Sequence, residues 1–255
     1  MRPAVYIARD RCPAMCGRYS LFVPPNRLSS RFDVSSGGYE PRYNAAPGQS
    51  LPVITDAAPD RLSAVEWGLV PPWADDRSDG HINARAETVT DRPSFRDAFE
   101  QTAGGRCLVP ADGFYEWTDQ NGATQPYRVT RTDETAFAMA GLWSRFEPTT
   151  TQTGLDAFAG GEVDEPEPIE TFTIVTTEPN SLVEQLHHRM AVILPTDAET
   201  EWLTASPERA EKLLEPIPGA TLKTYPVSTA VNDPANDSPA VVEPVTDEQG
   251  ESLVS

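Results

Sequence analysis

The sequence has almost no lysine: of its 20 basic residues only Lys212 and Lys223 are Lys, and the rest are Arg. It has three His and three Cys (Cys12, Cys16, Cys107) in 255 residues. Each shortage excludes something. Three scattered Cys do not make a disulfide framework or a zinc cluster. No apolar run approaches the roughly 20 residues of a membrane-spanning helix. The opening MRPAVYIARDRCPA lacks the apolar middle of a secretory signal, which points to a cytoplasmic protein. Phosphate-cradling loops, dinucleotide-binding glycines, nucleophile elbows and kinase signatures are all missing. With 39 acids against 20 bases the net charge is −19. A net anion repels a phosphate backbone, so the whole-surface charge argues against a nucleic-acid partner.

What is present organises the chain. Apolar residues at 38%, with five Trp and nine Phe, suffice for a real core. Residues 147–170 carry seven acids and residues 224–255 carry six, neither with any base. Those thirteen acids leave only −6 for the rest of the chain. Both stretches are rich in Pro, Gly, Ser and Thr, which predicts a solvated loop insert and a disordered acidic tail. The domain reading is a leader over 1–15, one domain over 16–232 containing the insert 147–170, and a tail over 233–255. The high acid content with scarce Lys fits adaptation to a salty cytoplasm, where charge is screened.

Short apolar runs punctuated by Pro and Gly predict strands at Tyr19–Val23, Leu51–Thr55, Leu62–Trp67, Cys107–Val109, Gly113–Trp117, Tyr127–Thr130, Phe137–Trp143, Thr171–Thr176, Ala191–Leu194 and Leu222–Val227. Short helices are predicted at Arg27–Phe32, Ser94–Glu100, Ser181–His187, Ala198–Thr204 and Pro207–Leu214. Strands do not alternate with long helices, so a doubly wound parallel sheet is excluded. The expected class is α+β: a curved, mostly antiparallel, barrel-like β-sheet with short flanking helices.

Several segments carry chemistry. In Met15-Cys16-Gly17-Arg18-Tyr19 a Cys follows a Met, so loss of the Met exposes a residue with an amine and a thiol on adjacent carbons. Such a pair condenses with an aldehyde, first to a Schiff base and then to a thiazolidine. The plainer alternative is a buried Cys at a strand start, and it applies more strongly to Cys107. In Asn83-Ala84-Arg85-Ala86-Glu87-Thr88, Asn83 can orient a carbonyl and Arg85 can grip a phosphate; the bland reading is a turn Asn and a surface Arg–Glu pair. Alternation over Gly113–Trp117 sets Phe114 and Glu116 on one strand face and Tyr115 and Trp117 on the other. A carboxylate among aromatics is desolvated, which raises its pKa and suits it to acid/base work. His187 and His188 adjoin Arg189. Adjacent His side chains diverge and lack a second ligand motif, so no metal site is expected; one of them is a candidate acid/base, or simply a helix C-terminal His. Trp73 can stack on a nucleobase, whereas Trp67 reads as core.

Taken in order, Met15-Cys16-Gly17-Arg18-Tyr19, Tyr43-Asn44-Ala45-Ala46-Pro47-Gly48, Trp67-Gly68-Leu69-Val70-Pro71, Asn83 to Thr88, Arg106 to Trp117 and His187-His188-Arg189-Met190 resemble the SOS response-associated peptidase (SRAP) family, from Met15 to about Asn232. The resemblance implies a curved sheet with a groove for single-stranded DNA and covalent capture of abasic sites during DNA damage, with self-processing that frees Cys16. It implies no cofactor and no metal, and the expected protein is a monomer that joins the nucleoid when bound to damage. By the same resemblance Cys16 is the nucleophile, Asn83 orients the reacting groups, Glu116 is the acid/base and His187 the catalytic His. Arg18, Arg85 and Arg189 would contact phosphates, Trp73 would be a wedge, and Asn44 and Pro47 would line the pocket. The three Arg are therefore expected beside Cys16. An amide hydrolase using the same Cys16, His187, Asn83 and Glu116 remains the alternative. Where residues 1–15 are attached, the Cys16 nitrogen is an amide and cannot form a Schiff base, so the leader is expected to be absent or removed.

Overall fold

The computed structural model describes residues 16–120, 122–148 and 167–245. Among them the strands in chain order are β1 (Tyr19–Leu21), β2 (Arg42–Ala45), β3 (Ser50–Thr55), β4 (Ala58–Trp67), β5 (Asn83–Arg85), β6 (Gly105–Ala111), β7 (Gly113–Gln120), β8 (Ala123–Arg131), β9 (Phe137–Phe146), β10 (Ile169–Thr177), β11 (Met190–Ala191), β12 (Ile193–Leu194) and β13 (Leu222–Pro226). The α-helices are α1 (Pro25–Phe32), α2 (Pro93–Phe99), α3 (Glu199–Thr204) and α4 (Pro207–Glu211). Three of the four open with Pro in the first turn, where a missing N–H costs nothing.

Strands β10, β4, β3, β6 and β9 pair in sequence, and β9 pairs back to β10, closing a five-stranded barrel. Within that ring only β10 and β4 run parallel. The second sheet, in the order β13-β8-β7-β1-β2, is antiparallel throughout. The expected α+β class with a mostly antiparallel, barrel-like sheet is the observed one.

Chain passes from barrel to sheet at Asp112, between β6 and β7. Its Oδ1 accepts from Arg128 Nη2 at 2.8 Å and Ser20 Oγ at 2.7 Å, and its Oδ2 from the N–H groups of Phe22 and Val23. Gly113 is required at this corner, because a Cβ there would lie 2.8 Å from the Arg128 guanidinium. The corner therefore ties β1, β7 and β8 together and fixes where β1 ends.

The main core lies between barrel and sheet, where Tyr19, Leu21, Trp67, Phe114, Phe172 and Met190 meet, with Cys16 at its edge. Trp67 packs on Tyr19 and Phe172, as core residues should. Each such side chain contributes about 1.5–3 kcal/mol by leaving water. A second cluster seats α2 and α3 on the barrel through Phe95, Phe99 and Trp202.

Four sequence expectations need correcting. Segments 42–45 and 83–85 form strands: they are short and polar, and their partner strands hold them extended where their own residue preferences do not. Ser181–His187 yields only a 3₁₀ turn at Val183–Gln185, too short a segment to propagate a helix without a packed face. Ala191–Leu194 is split, because the chain leaves β10 at Ala191 and joins β9 at Ile193. Residues 233–245, expected to be disordered, pack on the outer sheet face: Val231 and Val241 are buried against Tyr115 and Tyr225. Their acids and Pro masked a sparse apolar set. The expected leader, the bulk of the insert (149–166) and residues 246–255 lie outside the described residues.

Asn44 fastens that C-terminal strap. Its Nδ2 donates to the carbonyls of Val231, Asp233 and Asn236, and its Oδ1 accepts from Arg18 Nη1. Asn44→Ala leaves those groups unsatisfied and is expected to cost about 2–4 kcal/mol. Differential scanning calorimetry should show a Tm drop on the order of 10 °C; an unchanged Tm would mean that the strap contributes nothing.

Candidate active site

Cys16 sits just before β1 with φ +42°, a left-handed conformation uncommon for a residue with a Cβ. It is 2% exposed. Its peptide nitrogen lies 3.2 Å from Glu116 Oε1, and its Sγ lies 3.1 Å from that same oxygen, so both donate to it. Burial pushes the thiol pKa well above its ordinary value, and the Glu116 charge adds to this.

Glu116 reaches this position because β7 alternates. Phe114 and Glu116 face the barrel, while Tyr115 enters the outer cluster beneath the strap. Burial raises the Glu116 pKa to about 8, and the two hydrogen bonds from Cys16 pull in the opposite direction.

His187 follows the 3₁₀ turn and is buried, with Nδ1 4.0 Å from Glu116 Oε2. The Arg189 N–H lies 3.1 Å from Nδ1 and the Arg189 carbonyl 3.3 Å from it, so the Arg189 backbone holds the ring in place. Burial lowers the His187 pKa, favouring the neutral ring. The His188 ring is exposed and lies 4.2 Å from that of His187, centroid to centroid. The two rings do not diverge as expected, because the chain bends at His188 instead of continuing as helix or strand. No group of three or more His, Cys, Asp or Glu suited to a metal occurs among the described residues.

The three predicted phosphate-binding Arg occupy three different environments. Arg189 is buried beside the cluster, its charge reaching Cys16, but both its Nη atoms are held by Glu87 at 2.6 and 2.9 Å. Arg85 ends β5, paired to Thr176 of β10, and its side chain is exposed. Arg18 donates to Asn44 and to the carbonyls of Val231 and Asn232. The expected cluster of three is thus a neutralised Arg189, an exposed Arg85 and a structural Arg18.

Asn83 opens β5, half-buried opposite Ile174. Asn44 is fully buried under the strap, which makes it a fastener and not a pocket wall. Pro47 is half-buried in the turn after β2. Trp73 is 56% exposed, the largest exposed apolar side chain among the described residues. Sequence reasoning missed Glu87 as the partner of Arg189; the only signal was its place in the Asn83–Thr88 segment, where it reads as a partner for Arg85.

The barrel-and-sheet fold, with a Cys near the domain start addressed through nitrogen and sulfur by one buried carboxylate, defines a class. The family model of the SOS response associated peptidase (SRAP) proteins matches residues 15–234, and the chain belongs to that family. It is 38% identical over 240 residues to "Abasic site processing protein YoqW" of Bacillus subtilis (strain 168), spanning 90% of this chain and 99% of that protein. It is 32% identical to "Abasic site processing protein HMCES" of Gallus gallus over 243 residues, spanning 82% of this chain and 68% of that one. A crystal structure of a Bacteroides thetaiotaomicron protein superimposes with a TM-score of 0.75 at 26% identity, covering 90% of this chain and all of that one. No helix among the described residues is long and apolar enough to cross a membrane.

Proposed function

We propose that this protein processes abasic sites by forming a covalent thiazolidine between Cys16 and the lesion in single-stranded DNA. The observation that carries this reading is the shared oxygen: Glu116 Oε1 lies within 3.2 Å of both Cys16 nucleophiles. An abasic deoxyribose in its ring-opened form presents an aldehyde. Once Cys16 is the first residue, its ammonium gives a proton to the Glu116 carboxylate, and the free amine adds to the aldehyde carbon. The carbinolamine loses water to form an imine, with Glu116 returning its proton to the departing oxygen and His187 assisting the transfers. The Sγ–H then adds across the C=N bond, sulfur to carbon and proton to nitrogen, closing the five-membered ring. One water is lost overall. Asn83 orients the reacting groups, exposed Arg85 meets phosphate, and Trp73 stacks on a base. A base stacked in this way is worth about 1–3 kcal/mol.

The Cys16 amine becomes free either by synthesis from Met15 and loss of that Met, or by self-cleavage of the Met15–Cys16 bond. The left-handed backbone at Cys16 is relieved when that bond breaks, whichever route breaks it. An amide hydrolase acting on other chains is the less favoured reading. It needs a thiolate, whereas here Sγ is buried, donates to Glu116 and has a raised pKa.

Protein begun at Met15, incubated with a single-stranded oligonucleotide carrying one abasic site, should give an adduct that survives heat and denaturant. Intact mass should show Cys16 as the first residue. Adduct formation through an intact leader would overturn the amine mechanism. Amide turnover without adduct would favour the hydrolase, and wholly salt-reversible binding a non-covalent module.

A further inference from the structure

His187 has a second imidazole against it. The exposed His188 ring lies 4.2 Å from the buried His187 ring, centroid to centroid, with their planes 34° apart. His187 Nδ1 in turn lies 4.0 Å from Glu116 Oε2. The buried ring therefore adjoins the reacting residues, while the exposed one meets water. His188 takes no part in the proton transfers proposed above.

The charged and titratable groups around His187 divide by whether their charge changes below neutral pH. Arg189 stays cationic, and its two-point hydrogen bond to Glu87 holds that carboxyl below the usual carboxylate range. Burial pushes the Cys16 thiol up, so it keeps its proton. Burial raises the Glu116 pKa to about 8, so this carboxyl is uncharged in acid. The Cys16 amine, once free, is an ammonium there. His188 is the group left whose charge changes in that range. Burial is the main cause of the lowered His187 pKa; the Arg189 backbone bond opposes it, and the charges of His188 and Arg189 act with it. As pH falls, the exposed ring takes a proton first, because water solvates its charge. The buried ring must then charge beside a cation.

We infer that His188 is a positioning residue that acts through His187: its imidazolium, set against the buried ring, keeps His187 neutral and able to accept a proton in mildly acidic solution. The inference rests on the abasic-site reading above. Its consequence is a His187 base whose working range extends further towards acid than burial alone provides.

The chain has only three His, so their ring signals are few enough to follow by NMR in the full-length protein. In His188→Gln the midpoint of His187 protonation should rise by about 0.7 pH unit, the worth of two unit charges about 4 Å apart at the dielectric of water. His188→Phe keeps a ring in place without the charge and should give the same rise. His188 is exposed, so neither variant disturbs the core. Adduct formation is then timed with protein begun at Met15 and a single strand carrying one abasic site. The rate at pH 5 relative to pH 7 should fall up to about fivefold further in both variants than in the parent. An unmoved midpoint in His188→Gln overturns the inference. So does a rise in His188→Gln that His188→Phe lacks, which would make the effect one of ring cover and not of charge. A moved midpoint with an unchanged rate ratio also overturns it, since His188 would then have no bearing on the reaction. Failure of the functional reading shows separately: the parent would give no denaturant-resistant adduct at any pH, while the ring signals would still report on the His pair.

Discussion

Cys16→Ser protein begun at Met15 is expected to form no denaturant-resistant adduct with an abasic strand, although it keeps the amine. In the proposed mechanism the two nucleophiles act in sequence, and only the second makes the product durable. A Ser at position 16 still condenses through its nitrogen to an imine, which water reverses; the hydroxyl is a far weaker nucleophile towards the imine carbon than the thiol. Borohydride should therefore restore a stable adduct in Cys16→Ser and in Cys16→Ala by reducing the imine. The fold should tolerate either change, since Cys16 lies at the edge of the core with Glu116 as its hydrogen-bond acceptor. A Cys16→Ser adduct as stable as that of the parent, formed without reductant, would remove sulfur from the mechanism.

Glu116→Gln should have the second largest effect, in opposite directions on activity and stability. Adduct formation should fall about 10²–10⁴-fold, the usual worth of a positioned acid/base. Stability of the full-length chain should rise at alkaline pH. The Glu116 pKa is about 8, raised from 4.5 mainly by burial. A carboxyl of this kind holds its proton more tightly folded than unfolded. Its favourable contribution is complete below about pH 4.5 and is lost progressively as pH rises to about 8, beyond which the full cost of a buried carboxylate applies. Gln never ionises, so the variant gains on the parent across that window by a few kcal/mol at about 1.4 per pH unit. Melting curves should coincide near pH 4 and separate by several degrees near pH 9. Equal melting temperatures at both ends would mean that Glu116 is not held in a desolvated place.

Glu116 was legible in the sequence because alternation is a local property: four residues suffice to set it on the face of Phe114. The barrel strands were legible for the same reason, as short apolar runs between turn residues. Partnership was not. Glu87 and Arg189 are 102 positions apart, and nothing near either residue specifies that they meet; a neighbouring Arg85 makes the wrong pairing look natural. Arg18 illustrates the same limit. Its place two residues after Cys16 suggests a role in the site, yet its guanidinium is claimed by carbonyls more than two hundred positions away. The strap was hidden by composition: acids and Pro dominate residues 233–245, while its anchoring depends on buried Val241 and on Asp237 accepting the Tyr43 and Asn44 N–H groups. The acidic total is silent on any one face, since a sum over the chain does not describe one exposed Arg85 at the end of one strand.

The tie between Arg18 and the strap bears on when the protein becomes competent during its synthesis. Cys16, the proposed nucleophile, is among the first residues of the domain to leave the ribosome, but the acceptors that hold Arg18 behind it, at Val231 and Asn232, are among the last. Strand β1 also lacks its partner β7 until Gly113 and Phe114 have emerged. A growing chain thus carries Cys16 for most of translation without the framework that positions it. The buried, Glu116-paired geometry at Cys16 is complete only when the domain is nearly whole.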